Sequence, residues 1–167
     1  GIAQDKINDY LTGLFIHPDD RVRLAALAAV DTLGLELKTV QLRKLAAEDS
    51  YPAIRETAAR IVSKKSAAIG NELLYLPDIP ARKGAIAGLL TQQPTHTFAL
   101  TALEAMRQNP HMGSQLAALS VVRSLKLAQF TEFVSESLTH SEAEVVKAAI
   151  ETAGVLPHAE LTEKLID

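Results

Sequence analysis

His17-Pro18-Asp19-Asp20-Arg21-Val22-Arg23-Leu24-Ala25-Ala26-Leu27-Ala28-Ala29-Val30 places a turn of Pro and Asp before an Ala-rich run with apolar residues at helical spacing. Asp caps exposed amides at a helix start, and Pro costs little there because the first-turn N–H groups have no intrahelical partner. The same order returns at Asp49 (DSYPAIRETAARIV), Pro77 (PDIPARKGAIAGLL) and His140 (HSEAEVVKAAIETAGV). A fixed period of this length marks stacked repeats, each a unit that cannot bury its apolar face alone. Aligning the apolar-plus-basic starts sets Val22-Arg23, Ile54-Arg55, Ala81-Arg82, Ser114-Gln115 and Val146-Lys147 in register, at spacings of 32, 27, 33 and 32 residues.

Apolar positions keep helical spacing along nearly the whole chain, with no sustained period of two, so the expected class is all-α. The pattern predicts helices over Ile2–Phe15, Asp19–Leu33, Leu37–Ala47, Pro52–Ser63 and Ala67–Leu76, then one opening at Pro80. Further helices are expected over Thr95–Gln108, Gly113–Leu125, Ala128–Leu138 and Glu142–Leu156, with a terminal one from His158. Pro18, Pro52, Pro80 and Pro110 read as markers of helix starts, Gly34 as a stop taking positive φ, and Ser141 with Glu144 as a capping box. Gly70, Pro77 and Pro80 predict irregular geometry between residues 69 and 80.

The 167 residues suffice for one domain, 1–167, with a continuous core. Seventeen basic against twenty acidic side chains, a net charge of −3, disfavour a dedicated polybasic binder of nucleic acid or anionic membrane. No apolar run approaches the roughly 18–20 residues that span a bilayer, so no membrane insertion is expected. Cys is absent, which removes disulfides and thiolate chemistry. The expected compartment is the cytoplasm, although a Cys-free chain also suits a periplasm or a domain of an anchored protein. Opening without Met suggests a processed product or a domain excised from a longer protein.

The repeat units resemble HEAT repeats, whose second helix typically opens with Val-Arg and small residues after a turn bearing Asp and Pro. Residues 17–27 are close to that pattern and residues 49–59 nearly as close, while the other units are looser. The resemblance covers essentially the whole chain as about five helical hairpins plus a terminal helix. It implies a HEAT-like solenoid, a right-handed α-α superhelix, and hydrogen bonds from Arg23, Arg55 and Arg82 to the turn Asp of adjacent units, Asp49 and Asp78 among them. Independently of the family, Ala25, Ala28, Ala29, Ala58, Ala59, Ala117, Ala118, Ala148 and Ala149 are expected to let neighbouring helices approach, as are Gly84 and Gly88.

Signatures of catalysis are sparse. The chain has no His followed directly by Glu, as families resembling deoxyhypusine hydroxylase require, and no Trp for a glycosylase-like cleft. His17, His96, His111, His140 and His158 lack zinc spacing, and His17 and His140 read as turn or capping residues. Neither a Gly-rich phosphate loop nor a Gly-x-Ser-x-Gly elbow occurs. No catalytic residue, metal ligand or cofactor is therefore assigned. Most of Tyr10, Phe15, Tyr51, Tyr75, Phe98, Phe130 and Phe133 should be core, with Met106 and Met112 packing beside them.

Repeat arrays present extended surfaces to other proteins, so the expected function is a non-catalytic scaffold or adaptor. A HEAT-like enzyme or enzyme subunit resembling a bilin lyase is the alternative, and nucleic-acid binding the third reading. The second helices of the central units carry Arg55, Arg60, Lys64, Lys65, Arg82, Lys83, Arg123 and Lys126 against Glu56. The C-terminal part carries Glu132, Glu136, Glu142, Glu144, Glu151, Glu160, Glu163 and Asp167. By the resemblance, second helices line a groove, which makes Arg60, Lys64, Lys83, Arg123 and Lys126 candidate contacts for an acidic segment of a partner protein. An array cut at its C-terminal unit would also homo-oligomerise through terminal repeats.

Overall fold

The computed structural model describes residues 1–157, so the expected helix from His158 and the acids Glu160, Glu163 and Asp167 lie outside the described residues. Within them the elements are α1 (Ile2–Leu14), α2 (Asp20–Leu33), α3 (Thr39–Glu48), α4 (Pro52–Lys65), α5 (Ala67–Leu73), α6 (Ile79–Gln92), α7 (Thr97–Gln108), α8 (Met112–Leu125), α9 (Thr131–Ser137) and α10 (Ala143–Ala153). A 3₁₀ turn, Ala128–Phe130, leads into α9, and no strand occurs among the described residues, so the chain is all-α. No helix there is long and apolar enough to cross a membrane. The backbone divides into two compact units, Gly1–Ala99 and Leu100–Asp167, with the division inside α7.

The first unit is three consecutive hairpins, α1/α2, α3/α4 and α5/α6, whose second helices pack in the order α2, α4, α6. Arg23 in the first turn of α2 reaches Asp49 beside the start of α4. Asp31 near the end of α2 meets Arg60 and Lys64 toward the end of α4, so the two helices run parallel. Leu27, Val30, Leu42, Ile54, Ile61, Val62, Ile86 and Leu89 are fully buried, each contributing roughly 1.5–3 kcal/mol through removal from water. Glycine sets the spacing of α4 and α6. A Cβ on Gly84 would overlap the Glu56 carbonyl oxygen, well within van der Waals contact distance, and one on Gly88 would lie 2.8 Å from Ser63 Cβ.

In the second unit α8 packs on α10, and α9 on α10. Its core holds Leu103, Met106, Leu119, Val122, Phe133, Val134, Val145 and Ala149.

Helix boundaries follow local chemistry. Asp19, Ser66 and Asp78 accept first-turn amides of α2, α5 and α6, and Pro52 and Pro80 occupy first-turn positions. Gly34 stops α2 with φ +61°. As expected between residues 69 and 80, the chain is irregular: α5 is short and ends at Leu73, turns run on to Pro77, and Gly70 sits against Leu89, where a Cβ would lie 2.7 Å from Cδ2.

Several expectations are corrected. Pro18 and Pro110 precede the capping residues Asp19 and His111, outside their helices. The cap of α10 is Glu142, so Ser141 and Glu144 form no capping box; the Glu142 amide is instead taken by His140 Nδ1 at 3.0 Å. Val22, Ile54, Ala81 and Ser114 each stand three residues past their helix cap, and in the last hairpin that position is Val145. Val145 is fully buried, which shifts the aligned start by one from Val146-Lys147 to Val145-Val146. Ala25 and Ala28 are exposed and Ala29 and Ala148 half-buried, whereas Ala58, Ala59, Ala117, Ala118 and Ala149 are buried. Of the aromatic residues only Phe15, Phe130 and Phe133 are core; Tyr10, Tyr51, Tyr75 and Phe98 are exposed, as is Met112.

Candidate functional site

Arg60 and Lys64, four residues apart on α4, share one helix face. Both reach the Asp31 carboxylate at the end of α2, with Arg60 donating to Oδ2 at 2.8 Å and Lys64 to Oδ1. Burial pushes the Asp31 carboxyl up, but hydrogen bonds from Lys64 and Arg60 outweigh it and hold the group below the usual carboxylate range. Lys65 donates to the Leu35 carbonyl at 2.8 Å, just past the stop of α2. Lys83 on α6 pairs with Glu56 on α4 at 2.8 Å.

These ion pairs tie each second helix of the first unit to the next. Six and ten residues past the aligned apolar start stand Ala28 and Thr32 on α2, Arg60 and Lys64 on α4, and Ala87 and Thr91 on α6. A charged ridge therefore runs along the middle helix with short side chains in the equivalent rows on either side. Among the described residues Arg60 and Lys64 pair with Asp31, Lys83 with Glu56 and Lys65 with a backbone carbonyl, so four cations there meet two carboxylates.

The other two candidates lie in the second unit. Arg123 donates to Glu151 at 2.6 Å, joining α8 to α10. Lys126 is the C-cap of α8, exposed and held at φ 52°, where its backbone amide closes the helix onto the Arg123 and Val122 carbonyls. In the same unit, Arg107 donates to Glu104 at 2.7 Å and its guanidinium lies 5.9 Å from the centre of the Phe133 ring. That hydrogen bond holds the Glu104 carboxyl low.

A cleft of about 490 Å³ opens where the first two hairpins turn, lined by Phe15, Ile16, His17, Lys44, Glu48 and the pair Arg23–Asp49. The polar groups of that pair are committed to the turn. Arg23 Nε and Nη2 donate to Asp49 at 2.9 and 3.1 Å, and Nη1 donates to the His17 carbonyl at 2.7 Å. Asp49 Oδ1 also accepts from the Tyr51 amide at 2.9 Å. One hairpin further, Arg55 repeats the bidentate fork on Asp78 at 3.1 Å for both bonds. Arg23 and Arg55 are thus structural rungs between units, as expected; Arg82 departs, its buried Nε having no partner among the described residues.

The histidines act in the turns. His17 and His140 each accept the amide two residues on, at 3.1 and 3.0 Å, and His96 accepts the Ala99 amide at 3.3 Å. Counting charge helix by helix missed the acidic partners of the basic row. The signal for them is present: Asp31 precedes Arg60 and Lys64 by 29 and 33 residues, and Arg123 precedes Glu151 by 28, each about one repeat. No family model matches this sequence, and no curated protein matches it significantly.

Proposed function

We propose that this chain is a HEAT-like α-solenoid, a right-handed superhelix over residues 1–167, that serves as a non-catalytic scaffold or adaptor. Its ligand is an acidic segment of another protein, laid along the second-helix layer of the first unit. The observation that carries this reading is the Arg60–Lys64 ridge flanked by rows of Ala and Thr, which together with Lys65 and Lys83 sets four cations against the carboxylates of Asp31 and Glu56. Short flanking side chains leave room for a backbone, while the ridge supplies charge-assisted donors. The rungs Arg23–Asp49 and Arg55–Asp78, at the starts of the second helices, tie α2, α4 and α6 in register. Arg123 and Lys126, on α8 of the second unit, are separate candidate contacts for an acidic ligand.

The reading is tested by fluorescence anisotropy with a labelled, Glu-rich peptide of about ten residues and a Gln-for-Glu control. Wild-type protein is expected to bind the acidic peptide, with affinity falling as salt rises because the charges are screened. Arg60→Gln with Lys64→Gln should weaken binding about tenfold, the loss of roughly 1.4 kcal/mol of charged contact. Equal binding of the Gln control, or no effect of the double substitution, contradicts the proposal.

A further inference from the structure

In the first-helix layer α1 packs on α2 and α3 packs on α4, with no comparable packing of α1 on α3. A groove is left between these two first helices. One end of it is the cleft of about 490 Å³ beside Arg23–Asp49, and the other is a recess of about 330 Å³ lined by Asp5, Asp9, Glu36 and Lys38. Thr12 of α1 and Gln41 of α3 line both, so the two form one continuous groove. From Asp5 to Phe15 it follows α1 for about 15 Å, at a rise of about 1.5 Å per residue. Both of its walls are already present in the chain. A repeat stacked before the first hairpin would meet another side of that hairpin, where Leu14, Val22 and Ala25 lie, and would leave this groove open.

The two ends differ in chemistry. At the first, the exposed carboxylates of Asp5, Asp9 and Glu36 have no ion-pair partner among the described residues, and against the single ammonium of Lys38 they leave a net charge of −2. At the other, Phe15, Pro18 and Leu45 form an apolar wall, and the charges cancel, Lys44 against Glu48 and Arg23 against Asp49. A ligand that matches both ends is cationic at one and apolar at the other. An extended chain covers the distance between them in about five residues, at roughly 3.3 Å each.

We infer that the α1/α3 groove binds an extended segment of a partner protein, with two basic residues at one end and large apolar side chains at the other. Asp5, Asp9 and Glu36 accept charge-assisted hydrogen bonds from the basic residues, and the apolar side chains settle against Phe15 and Leu45. The site takes a ligand of opposite charge to that of the Arg60–Lys64 ridge and does not depend on it.

The test uses the full chain, isotopically labelled, with the synthetic peptide Arg-Lys-Gly-Ser-Leu-Leu and its reversed sequence, both acetylated and amidated. Amide chemical-shift titration with one of the two is expected to give saturable changes at Asp9, Thr12, Phe15 and Gln41. Asp5→Asn with Asp9→Asn should weaken that binding about fivefold, as should Gln in place of both basic residues of the peptide. Ser in place of both Leu residues should weaken it about tenfold, through the loss of apolar burial. Gln41→Trp fills the groove from an exposed position and should abolish binding with the urea midpoint unchanged, while Arg60→Gln with Lys64→Gln should leave affinity unchanged. The inference is overturned if neither peptide gives saturable shifts, if the shifts fall outside the groove, or if affinity is indifferent to the Asp5 and Asp9 substitutions. Indifference to the Leu replacements also overturns it, since attraction between net charges would then account for the binding.

Discussion

Replacing Asp49 by Asn leaves the Arg23 guanidinium without its carboxylate on the wall of the cleft. The Arg23 and Asp49 side chains are 11% and 6% exposed, so water from the cleft takes over only part of the lost charge. Removing one partner of a buried pair costs about 3–5 kcal/mol. Arg23 keeps its bonds to the His17 and Pro18 carbonyls, and an Asn retains the acceptor for the Tyr51 amide, which places Asp49→Asn near the lower end, about 3 kcal/mol. Arg23→Met preserves most of the buried stem but leaves the carboxylate with that one amide donor, at a cost of about 2 kcal/mol. The double substitution contains no unpaired charge, so its total should stay near 2–3 kcal/mol and not reach the sum, a coupling of about 2–3 kcal/mol. At roughly 2–4 °C per kcal/mol for a chain of this size, Asp49→Asn lowers Tm by about 6–12 °C. Urea unfolding followed by tyrosine fluorescence reports on the right unit, since Tyr10, Tyr51 and Tyr75 all lie within Gly1–Ala99. Additive single and double effects, or a loss below about 1 kcal/mol for Asp49→Asn, would refute the buried-rung argument.

Gly84→Ala drives a methyl into the Glu56 carbonyl and should destabilise by about 2–3 kcal/mol, whereas Gly13→Ala, with nothing within 4 Å, should stabilise α1 by about 0.5–1 kcal/mol; urea midpoints decide both. Lys126→Gly relieves a left-handed backbone at φ 52° and should raise stability by about 1 kcal/mol in the same assay. Asp31 has its folded carboxyl pKa held below the unfolded value, so its contribution is present above about pH 4 and is lost as pH falls through the lower folded value. Urea midpoints of wild type should therefore drop along this acid limb more steeply than those of Asp31→Asn, and parallel curves would contradict the assignment.

Helix positions were legible in the sequence because turn chemistry and apolar period agree: Asp19, Pro52, Gly34 and Asp78 each punctuate a helix by a local mechanism. Errors arose where two local signals competed. Ser141 and Glu144 have capping-box spacing, yet seating Val145 in the core starts the helix one residue later, and His140 takes the freed amide. Tertiary burial outweighed a contribution of about 1 kcal/mol from a cap. The rungs were readable through the resemblance, and Gly84 and Gly88 through their place inside a helix. Exposed Tyr10, Tyr75 and Phe98 could not be told from core aromatics, since their positions fit an apolar period whether or not a neighbour covers them.

The candidate site was legible as a set of cations and not as an arrangement. Arg60, Lys64 and Lys83 do share the second-helix layer, but Asp31 and Glu56, carried on the adjoining helices, take up part of their charge. Charge totals for single helices are blind to pairs one repeat apart. The consequence is mechanistic: under the proposed function Asp31 is an internal competitor for the ligand's carboxylates.

That competition offers the most direct measurement of the central claim, the affinity of the Glu-rich peptide for Asp31→Asn by anisotropy at low salt. Freeing Arg60 and Lys64 from their own carboxylate should tighten binding about fivefold, the reverse of the loss expected for Arg60→Gln with Lys64→Gln. Unchanged or weaker binding by Asp31→Asn, with the fold intact by circular dichroism, would contradict an acidic ligand on this ridge.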